Sequence, residues 1–256
     1  MPKRSEVPVI HLVRSLELGR VQWHEPMDFR VNQPKGIAMA LSGGLDSSAA
    51  AFLLRKAFPA ARIVGIHLDY GQRHHKELES AKRIATMLGV EFHYLRIYGF
   101  DQMIRGCALT DPTVAVPEGH YAEPTMKTTV VPNRNMIILS LVASAAIAER
   151  CTWVVYGAHS GDHAIYPDCR PEFAMKMAGA LSFCHDEHLH LFAPWLYMTK
   201  GEIVDHCERR KLGVPWSATW TCYKGEDLHC GKCGACVERR EAFATYGYTD
   251  PTDYQE

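Results

Sequence analysis

The chain has 256 residues, 47% of them hydrophobic and 22% charged, which suits one large globular domain or one domain with a small appendage. Its 28 basic and 29 acidic residues nearly cancel, so overall charge makes no case for a nucleic-acid partner. No run reads as a span of roughly 18 apolar residues or as a signal-peptide core, so a cytoplasmic protein that does not enter the membrane is expected.

Residues 1–36 stand apart as an N-terminal extension, with a hairpin around Leu18-Gly19 as their only structural signal. The domain proper is expected over 37–256. The apolar run "IAMAL" (37–41) predicts a buried strand, followed by a Ser/Gly loop and a helix of about three turns over 47–58. "RIVGIHLDY" (62–70) predicts a second strand, 75–88 a helix with Gly89 at its C-terminus, and "EFHYLRI" (91–97) a third strand. The long irregular connection 98–130 reads as a lid, a partner surface or disorder. "VPNRN" (131–135) introduces a helix over 136–150, and "WVVYG" (153–157) predicts a fourth strand. Strands alternating with helices predict an α/β, Rossmann-like parallel sheet with helices on both faces.

Within Leu41-Ser42-Gly43-Gly44-Leu45-Asp46-Ser47-Ser48, four features belong together. Gly43 and Gly44 let the backbone approach a ligand, three serine hydroxyls donate hydrogen bonds, and the next helix points free N–H groups and its positive end at the site. This is an anion cradle at the carboxyl end of a strand. The plain alternative is a helix start with Asp46 or Ser47 as N-cap. The Gly-Lys-Ser/Thr of a Walker-type loop is missing, which disfavours γ-phosphoryl transfer.

Ser-Gly-Gly-x-Asp-Ser after a first strand resembles the pyrophosphate loop of the N-type ATP pyrophosphatases. That resemblance implies cleavage of ATP between its α and β phosphates, with AMP placed on a substrate oxygen. It also implies Mg²⁺, with Asp46 as a candidate ligand.

Cys222, Cys230, Cys233 and Cys236 fall within 15 positions of a chain with nine cysteines, a density that suits one tetrahedral thiolate site in a reducing compartment. Zn²⁺ is the first choice and an iron–sulfur cluster the competitor. The other five cysteines read as buried thiols. His185, His188 and His190 read as a solvated loop, while His74 and His75 stay undecided.

Three stretches gather at the carboxyl edge of the sheet: "LDYGQRHHKEL" (68–78), "VPNRN" and "YPDCRPEF" (166–173). Arg134, Asp168, Arg170 and Glu172 converging there would form a carboxylate clamp and acceptors for a guanidine-like edge. Taken singly, Asp168 and Arg170 read as a surface pair, and Tyr166 and Phe173 as core.

Together with "TWTCYKGEDLHCGKCGACVERREAF" and "GYTDPTDY", these stretches resemble the 7-cyano-7-deazaguanine synthase (QueC) family over 37–256. The resemblance implies that 7-carboxy-7-deazaguanine is adenylated, that ammonia displaces AMP to give an amide, and that a second ATP drives dehydration to the nitrile. It further implies a homodimer. By position, Ser42 to Ser48 would bind ATP phosphates, Tyr70 would lie by the nucleoside, and Lys200 of "YMTKGEI" would neutralise the phosphates. Ser42, Asp46, Ser47, Lys200 and Arg134 form the expected catalytic set. Tyr166, Asp168, Arg170, Glu172 and Phe173 join Arg134 around the substrate, with Cys169 as packing. For Lys200 the alternative is an exposed residue at a helix start.

The pattern departs from the family in the long N-terminal extension and in Ala164-Ile165, where Ser-Gly is usual. A relative that hands the same activated acid to another amine, such as a protein partner's, is therefore the alternative expectation. A binding module without turnover and a tRNA-thiolating pyrophosphatase are further rivals. The latter would need a basic RNA surface.

Overall fold

Apolar runs with no polar face fold as interior strands of a parallel sheet, and more polar or shorter runs fold as its edges. In the computed structural model, which describes residues 33–120 and 123–255, they are β1 (Ile37–Ala40), β2 (Ile63–Asp69), β3 (Glu91–Arg96), β4 (Trp153–Val155) and β5 (His190–Phe192). They form one parallel sheet in the order β3-β2-β1-β4-β5, with Ile37 paired to Ile63 on one side and to Trp153 on the other. The fold is the expected α/β class, and β5 is a strand that the histidine-rich reading of 185–190 missed. His190 lies on β5, half-buried, while His185 and His188 are exposed. The expected hairpin around Leu18-Gly19 lies outside the described residues.

Seven α-helices occur among the described residues: α1 (Leu45–Ala57), α2 (Lys76–Leu88), α3 (Phe100–Met103), α4 (Arg134–Ala148), α5 (Pro171–Leu181), α6 (Lys200–Arg209) and α7 (Gly234–Thr245). One core joins α1, α2, α6 and α7 to the sheet through Leu53, Ile84, Ile203 and Phe243. The other joins α4 and α5 through Leu139, Val142, Ala174 and Met177. Gly89 ends α2 in the left-handed region at φ 58°, as its position in the sequence implied.

The stretch Pro124–Ala148 is long and apolar enough by length and composition to cross a membrane, which corrects the expectation that no such stretch occurs. Its α-helical part is α4, whose 15 residues span about 22 Å, short of a hydrocarbon core of about 30 Å. Leu139, Val142, Ala143 and Ala146 on this helix pack into the second core.

The connection 98–130 is ordered where it is described, and the cause lies in "GQRHH". Arg73 donates to the carbonyls of Ala108 (3.1 Å) and Val114 (2.9 Å), while its own amide donates to Leu109 (3.0 Å). The far end of the connection reaches the cysteine segment, where Gly119 N donates to Lys232 O at 3.0 Å. Four of the five remaining cysteines are buried thiols, but Cys184 is exposed, a correction to the sequence reading.

Arg239 is wholly buried on α7 and ties the C-terminal third together. It donates to Thr219 Oγ1 (2.7 Å), Thr221 Oγ1 (3.1 Å), Trp216 O (2.9 Å) and Asp250 (3.2 Å). Removing one partner of a buried pair strands the other charge, so Arg239→Met is expected to destabilise the fold by about 3–5 kcal/mol. Urea unfolding of the variant checks this, and a loss below about 1 kcal/mol would place Arg239 among merely peripheral ion pairs.

Candidate active site

In an open parallel sheet the ligand crevice lies at the carboxyl edge, where chain connections leave in opposite directions. Here that point lies between β1 and β4. The loop after β1 and the turn after β4 close on each other there: a Cβ on Gly157 would stand 3.1 Å from Ser47 N.

Gly43 has φ 86°, and a Cβ on it would lie 2.4 Å from Glu77 O and 2.5 Å from Ala81 N on α2. Only glycine fits. Gly44 is the N-cap of α1 and no side chain caps the helix, so neither Asp46 nor Ser47 plays the capping part. The first-turn amides are left for a ligand. Ser42 Oγ and Ser47 Oγ share a 2.9 Å hydrogen bond, and they accept from Gly44 N and Gly43 N at 3.2 Å and 3.3 Å. Ser48 Oγ is buried without a partner. Leu41 extends the sheet by donating to Ile66 O, and Leu45 is core.

Lys200, the first residue of α6, is 8% exposed, which removes the exposed-helix-start reading. Its ammonium lies 2.7 Å from Glu238 Oε2 and 3.5 Å from Asp46 Oδ2. Burial alone would push this amine down, but Asp46, Glu238 and Asp162 outweigh it and hold Lys200 above its ordinary range. His159 Nε2 stands 3.4 Å from Asp162 Oδ2 and 3.8 Å from Asp46 Oδ2. Asp46 Oδ1 is buried with no partner. An unpartnered carboxylate oxygen beside an uncapped helix start fits a magnesium-bound phosphate.

A second cluster forms where α4 begins. The Arg134 guanidinium sits 5.5 Å over the Tyr166 ring, with Tyr70, Glu77, Cys169 and Tyr223 around it. Tyr166 is buried, its hydroxyl 2.7 Å from Thr129 Oγ1. Asp168 gives Oδ2 to the Asn135 amide at 2.9 Å, so one of its oxygens is already spent on the start of α4. Tyr70 packs with Cys107 and Leu109 and faces Arg134. Burial pushes the Cys169 thiol up, and Asn135 Nδ2 donates to its sulfur at 3.2 Å, as befits packing.

The structure does not gather the whole substrate set. Arg170 is exposed and donates to His163 O at 2.8 Å, Glu172 is exposed, and Phe173 packs against the second core. Ile165 has ordinary helical angles (φ −103°, ψ −42°) and packs into the same core, so no glycine is required where the family usually has one. Sequence reading missed His159, Asp162 and Glu238 beside Lys200, and Asn135 and Glu77 beside Arg134. For Glu238 a signal existed: it follows Cys236 by two residues, on the helix that begins at the cysteine cluster.

The four cysteines converge. All are buried, and their sulfurs lie within 4.8 Å of one another. The Cys230–Cys236 sulfur separation is 4.0 Å, close to the roughly 3.8 Å between thiolates on a tetrahedral zinc ion. Amides of Cys233 and Lys232 donate to Cys230 Sγ, and the Cys230 amide donates to Cys222 Sγ, bonds that favour thiolates. The donor set therefore fits a metal ion.

A glycine-bearing loop between a central parallel strand and an uncapped helix, backed by a buried lysine, gives this α/β protein an anion cradle at the carboxyl edge of its sheet. Residues 36–247 match the family model "Queuosine biosynthesis protein QueC". The chain is 45% identical over 220 residues to the 7-cyano-7-deazaguanine synthase of Pseudoalteromonas translucida, covering 86% of this chain and 98% of that one. It is 46% identical over 222 residues to that of Alteromonas mediterranea, covering 86% and 99%. Among solved structures it is similar to the NH3-dependent NAD synthetase of Campylobacter jejuni (17% identity, TM-score 0.44, 72% of this chain and 67% of that one). The chain belongs to the QueC family and is an enzyme.

Burial pushes Glu77 up to about 7, against the opposing pull of Arg134. The folded state therefore binds this proton more tightly than the unfolded chain. The stability it contributes is complete below the ordinary 4.5 and is lost as pH rises through 7. Glu77→Gln, which keeps the neutral form throughout, should gain ~2 kcal/mol over wild type between pH 5 and pH 8. Unfolding curves at both pH values check it; a pH-independent difference would place the charged form in the folded protein.

Proposed function

We propose that the chain is a 7-cyano-7-deazaguanine synthase that activates a deazaguanine carboxylate with ATP. The observation that supports this most directly is the cation at the second cluster. Arg134 is half-buried among tyrosines, a thiol and the protonation-prone Glu77, and forms no ion pair within 4.0 Å among the described residues. A desolvated guanidinium without an ion pair is stabilised by an incoming carboxylate.

In this reading the amides of the α1 start and the serines of 42–48 hold the phosphates of ATP, with Lys200 facing them. Asp46 Oδ1 would hold Mg²⁺, whose charge eases departure of pyrophosphate. Arg134 orients the substrate carboxylate, and the free oxygen of Asp168 accepts from the N–H edge of the deazaguanine. The carboxylate oxygen attacks the α phosphorus and releases pyrophosphate. Ammonia then adds to the acyl carbon, and AMP departs with a proton lost from nitrogen, giving the amide. The amide oxygen attacks the α phosphorus of a second ATP and releases its pyrophosphate, and loss of AMP and the two remaining N–H protons gives the nitrile. Cys222, Cys230, Cys233 and Cys236 would hold Zn²⁺ as a structural ion, away from these steps. No feature of the site favours transfer to a protein amine.

Incubation with 7-carboxy-7-deazaguanine, Mg-ATP and ammonium, followed by mass spectrometry, should show AMP, amide and nitrile. AMP without amide or nitrile would make ammonia the wrong nucleophile, and no AMP would end the enzymatic reading. Lys200→Met should lower kcat/KM for ATP by about 10²–10³. The purified protein should be colourless, with about one zinc ion per chain by elemental analysis; a brown chromophore would assign iron instead.

A further inference from the structure

Lysine is a point charge on a flexible stem, and something must choose where it rests. Asp46 alone would draw Lys200 onto its own carboxylate, which the reading above needs for a cation. The shorter contact is with Glu238, at 2.7 Å against 3.5 Å for Asp46. Glu238 is the fifth residue of α7, a helix whose N-cap is Cys233 and which carries Cys236.

Two glycines make this approach possible. A Cβ on Gly201 would meet the Tyr246 ring at 3.0 Å, so α6 settles closely onto α7 beside Lys200. A Cβ on Gly161 would stand 2.9 Å from Glu238 Oε1, so the turn after β4 closes against the oxygen that Lys200 does not use.

The cysteine segment touches the phosphate loop by other routes too. Trp220, two residues before Cys222, donates its amide to Gly43 O at 3.0 Å. Ser80 Oγ bridges Gly43 O (2.8 Å) and Ala218 O (2.5 Å). Gly225 packs on His74 so tightly that a Cβ would fall 2.1 Å from that side chain. Both ends of the cysteine cluster thus lead to the site, but only the Glu238 end leads to a charge.

We propose that Glu238 is the positioning residue that draws Lys200 toward itself, so that Asp46 does not take it alone and it stands ready for the ATP phosphates, and that the four-cysteine segment bears on the reaction through it. This rests on the reading of Lys200 as a phosphate-facing group.

Equilibrium binding of α,β-methylene-ATP with Mg²⁺, followed by calorimetry on the full zinc-loaded chain, tests it. Glu238→Gln should weaken binding about tenfold while zinc content stays at the wild-type level. Glu238→Asp, which keeps the charge, should recover most of the loss. Gly161→Ala keeps every charged group yet crowds the Glu238 carboxylate together with the His159 ring, and should weaken binding in the same direction. In a Lys200→Met background, Glu238→Gln should add little, because both act through one ammonium. Wild-type affinity in Glu238→Gln, or a double variant whose loss is the product of the single losses, overturns the proposal. A lowered melting temperature with unchanged affinity does the same, since that is what a purely structural residue gives. A wild-type chain that does not bind the analogue overturns the reading of the loop itself, and the proposal with it.

Discussion

No side chain can exist at position 43. The backbone of α2 occupies the space a Cβ would need, with Glu77 O and Ala81 N within 2.5 Å of it, and the Gly43 carbonyl accepts from both Trp220 N and Ser80 Oγ. Three separate parts of the chain converge on that one peptide: the loop after β1, the start of α2, and the segment that leads into the cysteine cluster. A residue with a Cβ would push α2 off the loop, and a strained φ of 86° would oppose it even with the space cleared. The close approach sets where the amides of α1 point, and so where a phosphate would lie.

The same convergence ties the cysteine cluster, late in the sequence, to the glycine loop that follows the first strand. A parallel sheet this small, with edge strands of three and six residues, covers its carboxyl edge poorly by itself. The connection 98–130 and the C-terminal segment supply the missing wall and lean on each other, through Gly119 and Lys232 and through the Lys224–Glu118 pair at 2.6 Å. A metal ion held by the four cysteines would give this wall cohesion where few apolar side chains are available. Arg239 continues the task from inside, with its guanidinium spread over three segments.

Much of this was legible from residues. The periodic runs of β1, β2, α1 and α2 carry their own pattern, Gly89 announces its turn, and the cysteine spacing announces its cluster. What escaped were elements whose signal is not local. The run of β5 is three residues long and follows a polar, histidine-rich loop. The order in 98–130 comes from Arg73, twenty-five residues before that connection begins, and no property of the connection itself reports it. In the site, Lys200 was legible from its motif, but its partners come from α1, α7 and the turn after β4, which only the tertiary fold brings together. Arg170, Glu172 and Phe173 show the converse: residues adjacent in a motif can point to three different places once a proline-started helix such as α5 rotates them apart.

The two cations of the site are in opposite states of neutralisation, and this says which anion goes where. Around Lys200 stand the carboxylates of Asp46, Asp162 and Glu238, two of them within 4.0 Å of its ammonium. That end is already rich in negative charge, and it suits an anion that arrives with its own metal ion. Around Arg134 the nearest titratable neighbours are tyrosines, a thiol whose proton burial retains, and Glu77, which burial pushes up to about 7. That end favours a bare anion, because burial opposes the charged form of Glu77 and so weakens its competition for Arg134. On the proposed function, a nucleotide that carries magnesium and a substrate that carries a naked carboxylate would thus be sorted by charge before any shape is read. The proposed sorting would put the carboxylate at the α4 end of the crevice and the phosphates at the α1 end, on the same edge of the sheet, as transfer of an adenylyl group between them would require.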